Sequence, residues 1–289
     1  MIIKNKKIRF AKLVAAGNDF VLIDNRVCRI TSSAQLRDLA RKMCDRKFGA
    51  GADGLLVLEK SKVADLKMRV FNADGSEAQM CGNGARCFAY YLSGGEKAGK
   101  DFFLVLETIA GIVNARVNAD NVRINITQPM NLKLDVPLKV SGRAIKVNFI
   151  NTGVPHAVIF VEGLEQIDVQ GLGREIRRHR YFSPAGTNVN FVEVLRADSL
   201  KIRTYERGVE DETLACGTGS IAAALVASVK AAGKINKINV RTAGGEILKV
   251  YFTPLDSKHL TEFTRTGLGF KDVWLEGKAG LVYRGEYYV

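Results

Sequence analysis

Cys81-Gly82-Asn83-Gly84-Ala85 opens a helix-like apolar run, and the same arrangement recurs 135 residues later as Cys216-Gly217-Thr218-Gly219-Ser220. A cysteine directly before a helix lies near unpaired N–H groups and the positive end of the helix dipole. Both favour the thiolate over the thiol. The glycines leave those N–H groups accessible to an anion such as a carboxylate. The sequence therefore predicts two reactive cysteines, each at the start of a helix and each beside a place for a small acid.

The sequence around the two cysteines is duplicated as well. Gly17 and Gly153 begin similar blocks 136 residues apart, and Arg69-x-Phe71-Asn72 answers Arg203-x-Tyr205-Glu206 at 134 residues. Matching landmarks in a constant order indicate two copies of one unit. Because Pro129 interrupts the strand pattern, we place the seam beside it. Residues 1–126, completed by a C-terminal strand at 278–289, form the first copy, and residues 127–277 form the second.

Short strand-like segments outnumber helices in both copies. The run after Cys216 is apolar on all sides, which is typical of a helix surrounded by protein. Another helix is predicted in the first copy. Ser32 or Ser33 caps it, and Leu36 and Ala40 lie on its core face. We therefore predict an α/β fold with mixed (α+β) sheets: two homologous domains related by pseudo-two-fold symmetry, each a strand layer wrapped around a central helix. The predicted strands are 20–24, 55–58, 67–71, 102–107, 112–117, 122–126, 158–161, 189–194, 202–205, 237–241 and 247–252.

The charge balance is strongly basic, with 43 Lys and Arg against 30 Asp and Glu, a net charge of +13. Nucleic-acid binding must therefore be considered, and the densest basic run is 174–180. No RNA-binding signature, zinc-finger spacing or heptad pattern accompanies that run, so a solvated helix face explains it better. The longest apolar stretch, 221–229, is too short to span a bilayer, and Lys12 interrupts any signal-peptide core. We expect a cytoplasmic protein.

The five cysteines argue against a disulfide scaffold and against a zinc site, because their number is odd and no CxxC pair occurs. Reduced thiols are the better interpretation. A lone cysteine is usually a small buried hydrophobe, which is how we interpret Cys28, Cys44 and Cys87. Cys81 and Cys216 differ because both occupy the same glycine-flanked place in the repeat.

Six motifs are spread along essentially the whole chain: Ala16-Gly17-Asn18-Asp19-Phe20, Asn72-Ala73-Asp74-Gly75-Ser76-Glu77, Cys81-Gly82-Asn83-Gly84-Ala85-Arg86-Cys87, Pro155-His156, Glu206-Arg207-Gly208 and Ala215-Cys216-Gly217-Thr218-Gly219. Together they resemble the diaminopimelate epimerase family. The resemblance implies a cofactor-independent isomerase that interconverts LL- and meso-2,6-diaminopimelate in lysine and peptidoglycan biosynthesis. It also implies two similar α/β domains with the site in the cleft between them.

The chemistry of such a reaction suits two cysteines. Inverting an α-carbon requires removal of a weakly acidic proton from one face and delivery of a proton to the other. Cys81 and Cys216 would exchange the roles of base and acid, and His156 and Glu206 resemble the groups that tune their protonation. Arg207 is a natural bidentate partner for a distal carboxylate. The expected substrate-binding residues are Asn18, Asn72, Gly82, Asn83, Asn188, Glu206, Arg207, Gly217 and Thr218.

The sequence contains no pyridoxal-phosphate lysine motif, Rossmann fingerprint or metal-ligand cluster, so we expect no cofactor and no metal. The expected partners are a small-molecule substrate and a second copy of the chain in a homodimer, with no nucleic acid and no membrane. Many relatives carry Asn where this chain has Val154, and some carry Gln where it has Gly54, so the contacts to the distal end of the substrate are expected to differ. Val154 is the feature that leaves open a racemase of the same fold with another amino-acid substrate. A redox-sensing or binding protein with a reversible cysteine pair is a third hypothesis, but it has no use for Glu206 and Arg207.

Overall fold

The structure, a computed structural model, describes residues 7–95, 101–126, 128–231, 235–255 and 269–289. The chain divides into two compact units. The N-terminal unit is Met1–Ile124 with Gly277–Val289, and the C-terminal unit is Asn125–Glu276. These bounds differ by one or two residues from those expected from the sequence. The chain therefore returns to the first unit after completing the second.

The N-terminal unit holds helices α1 (Asn25–Cys28), α2 (Ser33–Cys44) and α3 (Gly82–Leu92). Its strands are β1 (Lys7–Ala15), β2 (Asn18–Asp24), β3 (Gly54–Glu59), β4 (Leu66–Asn72), β5 (Glu77–Ala78), β6 (Phe102–Thr108), β7 (Gly111–Asn118), β8 (Asn121–Asn125) and, from the C-terminus, β18 (Gly280–Tyr288).

The C-terminal unit holds helices α4 (Val169–Arg177) and α5 (Gly217–Lys230), with short 3-10 turns at Leu164–Gln166 and Arg180–Phe182. Its strands are β9 (Met130–Val140), β10 (Arg143–Asn151), β11 (Pro155–Phe160), β12 (Asn188–Arg196), β13 (Ser199–Glu206), β14 (Asp211–Thr213), β15 (Lys237–Arg241), β16 (Ile247–Leu255) and β17 (Gly269–Lys278).

The two units share one strand order. In the first, β18, β1, β2, β3, β4, β6, β7 and β8 lie side by side, and β5 also pairs with β4. In the second, β9 to β13 and then β15, β16 and β17 lie side by side, and β14 pairs with β13. The parallel pairs are equivalent: β2–β3 and β4–β6 in one, β11–β12 and β13–β15 in the other. The predicted fold of two homologous α/β domains is confirmed.

Each unit wraps its strands around one buried helix. In the N-terminal unit α3 contacts β1, β2, β4, β7 and β18, and in the C-terminal unit α5 contacts β10 to β13, β15 and β16. Residues 85–89 of α3 and 221–226 of α5 are fully buried. A helix that is apolar on every side requires protein on every side, and the strands provide it. Among the described residues, no helix is long and apolar enough to cross a membrane.

All of the predicted strands are present, but the sequence prediction missed β1, β5, β9, β10, β14 and β17. Strand β9 begins directly after Pro129 and passes through Pro137, which pairs with Lys146. Proline is tolerated there because it lacks only an N–H group, and among the described residues β9 lies at the edge beside β10. The prediction that the whole basic run 174–180 is a solvated face is wrong at Arg177. That side chain is half-buried and pairs with Glu210.

Candidate active site

Cys81 is the N-cap of α3, with extended backbone torsions (φ −136°, ψ 119°). Its Sγ accepts a hydrogen bond from the Gly84 N–H at 3.4 Å, and its carbonyl accepts the first helical bond from Ala85. A Cβ on Gly84 would lie 3.0 Å from the Leu56 side chain and 3.4 Å from the Cβ of Cys81. The glycine therefore lets the helix start lie directly against β3.

Asn83 lies in the first turn of α3 and is buried. Its Oδ1 accepts a 2.6 Å hydrogen bond from Nη2 of Arg86, which is itself fully buried and donates through Nη1 to the Lys278 carbonyl. The amide oxygen of Asn83 is thereby oriented toward the protein. A ligand of Asn83 would meet its NH2 end.

Asn18 and Asn72 lie at the same edge of the N-terminal sheet, because Phe20 and Asn72 both pair with Gly54 of β3. The Oδ1 atom of Asn18 is buried and has no hydrogen-bond partner among the described residues. Asn72 is exposed, and its Nδ2 donates to the Ser76 hydroxyl across a tight turn at 2.9 Å. Asn18 is thus ready to bind a donor, while Asn72 also shapes the turn that carries it.

A charged cluster that the sequence analysis missed fixes the start of β2. The buried Lys12 contacts the Asp19 carboxylate at 2.6 Å, and Arg46 bridges Asp19 and Asp53 at 2.9 and 2.6 Å. Burial raises the pKa of Asp19, but hydrogen bonds from Arg46 and Lys12 outweigh it and hold that pKa well below its usual range. Burial also raises the pKa of the neighbouring Asp53. The available signal in the sequence was Lys12 itself, a charged residue between the apolar residues 10–11 and 13–16.

Cys216 occupies the equivalent N-cap of α5 (φ −118°, ψ 111°) and is 7% exposed. Its Sγ lies 3.5 Å from the Thr218 hydroxyl, and its carbonyl accepts from both the N–H and the Oγ of Ser220 at 2.9 Å. Thr152 donates its hydroxyl to the Thr218 carbonyl at 3.1 Å. The predicted placement of both cysteines directly before buried helices is what the structure shows.

Glu206 is the last residue of β13 in the C-terminal unit, and Arg207 follows it. Burial raises the pKa of the Glu206 carboxyl, and a 3.0 Å hydrogen bond from the Thr213 hydroxyl opposes that shift. Arg207 donates its backbone N–H to Oδ1 of Asn188 at 2.8 Å and its Nη1 to the Ala185 carbonyl at 3.0 Å. The rest of the guanidinium remains available for a carboxylate.

The Asn188 side chain cross-links two segments of the unit, because its Nδ2 also donates to the Pro155 carbonyl at 3.3 Å. It therefore joins the starts of β11 and β12 to the residue after β13. One lone pair and one N–H of its amide remain for a substrate.

His156 is fully buried in β11. Its Nδ1 lies 3.1 Å from Nδ2 of Asn190, and its Nε2 has no hydrogen-bond partner among the described residues. Burial, and to a lesser degree the charge of Arg207, lowers the pKa of His156 to about 3. The imidazole is therefore neutral at physiological pH.

In the N-terminal unit Asn18 and Asn72 thus lie at one edge of the sheet, and Cys81 caps α3. In the C-terminal unit Asn188 links Arg207 to the start of β11, the strand that carries His156, and Cys216 caps α5. The remaining cysteines fit the buried-hydrophobe interpretation, since Cys44 and Cys87 are buried and Cys28 packs against the core. Burial raises the pKa of the Cys44 thiol to about 12, which keeps it protonated.

Comparison with known proteins shows which family the sequence matches. The profile of the diaminopimelate epimerase family matches residues 10–131 and 148–253. The diaminopimelate epimerase of Aquifex aeolicus is 44% identical over 276 residues, covering 91% of this chain and 95% of that protein. That of Archaeoglobus fulgidus is 42% identical over 267 residues, covering 88% and 92%.

Solved structures share the fold at low sequence identity. A phenazine biosynthesis protein of the PhzF family from Bacillus anthracis superposes with a TM-score of 0.74 at 17% identity, covering 98% of this chain and all of that one. A hydroxyproline epimerase from Agrobacterium vitis gives 0.67 at 18% identity, covering 100% and 94%. The paired helix-capping cysteines, the duplicated fold and the sequence matches over nearly the whole length agree, and the chain belongs to the diaminopimelate epimerase family.

Proposed function

We propose that this protein interconverts LL- and meso-2,6-diaminopimelate without a cofactor, as a step of lysine and peptidoglycan-precursor synthesis in the cytoplasm. The observation that carries the proposal is the pair of cysteines at equivalent helix N-caps in a chain of this family. Two acid–base groups of one kind suit a reaction whose forward and reverse directions differ only in which group starts as the base.

In the proposed reaction one cysteine thiolate removes the α-proton and the other cysteine, as the thiol, delivers a proton to the opposite face of the same carbon. The thiolate and thiol exchange places with each turnover, so a proton must be exchanged with solvent before the next one in the same direction. The electron pair left on the α-carbon spreads into the carboxylate. Backbone N–H groups at Gly82, Asn83, Gly217 and Thr218 would stabilise that charge where it develops.

Glu206 and His156 would tune the protonation of the two cysteines. The raised pKa of Glu206 brings its carboxyl closer to the thiol range, and Thr213 fixes its orientation. Asn18, Asn72, Asn188 and Arg207 would orient the two ends of the substrate. A guanidinium fork is suited to the distal carboxylate because it can donate two parallel hydrogen bonds.

The two-base assignment is tested by epimerisation of LL-diaminopimelate in deuterated water. Early in the reaction the meso product should carry solvent deuterium at the inverted carbon while the remaining LL substrate stays unlabelled. Cys81→Ala and Cys216→Ala should each lose at least about a hundredfold in kcat, since each lacks one general acid–base group. Cys28→Ala is the matched cysteine control and should retain the activity.

Full turnover by either single alanine variant would exclude the two-cysteine mechanism. Deuterium appearing in the LL pool as fast as in the product would point to a single base on one face.

The oligomeric state is a separate part of the proposal: we expect a homodimer, and light scattering of the purified protein at assay concentration measures it directly.

A second candidate is a racemase for another amino acid, favoured by Val154 and by the fold shared with a hydroxyproline epimerase. A panel of L-amino acids under the same deuterium assay separates the two. Lysine resembles the substrate but lacks the distal carboxylate, so it should react poorly if Arg207 binds that group. Efficient racemisation of lysine or proline would favour the second candidate.

A further inference from the structure

Three polar side chains form a connected row in the core of the C-terminal unit. His156, Asn190 and Thr204 are 0%, 0% and 2% exposed. Asn190 donates from Nδ2 to the Ala157 carbonyl at 3.0 Å and lies 3.1 Å from Nδ1 of His156, and its Oδ1 accepts the Thr204 hydroxyl at 3.1 Å. The row lies beneath the start of α5, where a Cβ on Gly219 would overlap Oδ1 of Asn190.

The N-terminal unit contains the same row in apolar form. Asn190 pairs with Thr204 across β12 and β13, and Leu56 pairs with Val70 across β3 and β4. His156 of β11 corresponds to Phe20 of β2. Each lies near the start of a strand that runs parallel to the strand carrying Asn190 or Leu56. Gly84 packs on Leu56 as Gly219 packs on Asn190.

Phe20, Leu56 and Val70 are 3%, 0% and 3% exposed, so the fold accepts a wholly apolar row at this place. Polar groups buried at the same positions cost desolvation free energy that the apolar copy does not incur. A polar row in one copy only therefore indicates a role beyond folding.

The hydrogen bonds determine which groups of the row donate and which accept. The Ala157 carbonyl can only accept, so the amide nitrogen of Asn190 faces it, and the same nitrogen faces His156. A donor opposite Nδ1 requires the Nδ1 lone pair, so the neutral ring carries its proton on Nε2. That Nε2 atom is buried and has no partner among the described residues. A buried N–H donor without a partner is costly unless an acceptor arrives.

We propose that Asn190 is a positioning residue that holds His156 as the Nε2–H tautomer, so that the ring offers a fixed, neutral hydrogen-bond donor to an anion of the reaction. This inference rests on the proposed function for the identity of that anion, the carboxylate of the substrate. His156 then stabilises negative charge and does not serve as the base. The low pKa of the buried ring agrees with this role, because a neutral donor keeps one state across the working pH range.

The tautomer is measured directly by ring-15N NMR of histidine-labelled protein. The chain has three histidines, and loss of one set of signals in His156→Gln assigns the residue. We expect Nδ1 in the unprotonated range and Nε2 in the protonated range in the unmodified protein. Protonated Nδ1 there would overturn the proposal, whether or not the protein epimerises diaminopimelate, so this readout stands apart from the proposed function.

Two variants separate positioning from packing. Asn190→Asp keeps the shape but replaces the N–H donor by an acceptor, so the proton should move to Nδ1 and kcat should fall by about a hundredfold, with a smaller change in KM. Thr204→Val installs the residue type found at Val70 and leaves the Asn190–Ala157 bond intact. It should retain the tautomer and at least about half of kcat.

A folded Asn190→Asp variant that keeps the Nε2–H signal, or keeps full kcat, would contradict the proposal. If Asn190→Asp does not fold, the spectra of the unmodified protein and of Thr204→Val decide the tautomer alone. Binding of the anion is followed in the same spectra: adding diaminopimelate should shift the Nε2 proton signal of His156, and an unchanged signal would show that the substrate brings no acceptor to it and overturn the donor role.

Discussion

His156 shows how burial of a single residue links acid stability to the site. The unfolded chain binds a proton at the ordinary histidine pKa of 6.5, while the folded protein resists protonation down to about pH 3. The unfolded state therefore binds more protons between these values, and stability must rise with pH there. The contribution is fully present above about pH 6.5 and is lost as the pH falls toward 3, with a slope of up to about 1.4 kcal/mol per pH unit.

This linkage predicts a variant that resists acid better. His156→Phe installs the residue type of Phe20, so the free energy of unfolding should depend less steeply on pH between 6.5 and 4 than in the unmodified protein. Urea unfolding at a series of pH values measures the two slopes. Equal slopes in the two proteins would show that His156 is protonated freely in the folded state.

At the scale of elements, one helix in each unit holds the turn that carries candidate site residues. In the C-terminal unit Arg177 of α4 donates to Glu210 at 2.8 Å, and Glu210 also accepts the Gly208 N–H in the turn that follows Glu206. In the N-terminal unit Arg41 of α2 donates to the Asp74 carbonyl at 2.8 Å, in the turn that follows Asn72. An arginine of the helix bonds the turn in both copies, to a carboxylate in one and to a backbone carbonyl in the other, which identifies α2 and α4 as supports of the turns.

We expect Arg177→Met to lower kcat/KM by about tenfold, equivalent to about 1.4 kcal/mol of transition-state stabilisation, because the turn carrying Glu206 and Arg207 loses its anchor. Urea unfolding should show a smaller relative effect, since the pair is partly exposed. Arg178→Met is the matched control, because Arg178 is exposed and 4.0 Å from Glu210. If both variants behave alike, α4 supports the turn through packing alone.

The elements also show what the sequence could and could not predict. Cys81 and Cys216 were found because glycine-flanked N-caps before apolar helices have a local signature. The hydrogen-bonded pair Asn190 and Thr204 was missed because the alternation along a strand predicts which side chains face the core but not what they contact. Its signal lay in the repeat itself, at positions where one copy is polar and the other has Leu56 and Val70. Strand β1 was missed because its lysines and Arg9 conceal the alternation, and one of its two partners, β18, is distant in sequence.

At the scale of the whole chain, the N-terminal unit is discontinuous. Lys7 of β1 pairs with Tyr288 of β18 and also binds Glu286 at 3.0 Å, while Arg86 donates to the Lys278 carbonyl. The two ends of the described chain are therefore neighbours. Such proximity permits circular permutation when the new ends fall in a connection between units.

A permutant that begins at residue 127, joins residue 289 to residue 1 through a short Gly/Ser linker and ends at residue 126 makes each unit nearly continuous. We expect it to fold and to retain kcat within about threefold, because no described strand or helix is cut. The matched control is the same permutant without residues 280–289, which should lose the cooperative unfolding of the N-terminal unit. Circular dichroism and urea unfolding distinguish them. Equal stability of the two would show that β18 is dispensable.

The pairing of β1 with β18 also determines the order in which the two units can be completed during synthesis. A ribosome releases β1 first, but its partner emerges some 270 residues later, after every strand of the C-terminal unit. The unit begun first is therefore completed last, and long-range pairing of this kind is slow to form. Until then one edge of β1 is an open hydrogen-bonding ladder, the kind of surface on which nascent chains aggregate. A chain that stalls before residue 280 would thus have a finished second half and a first half exposed to association with its neighbours.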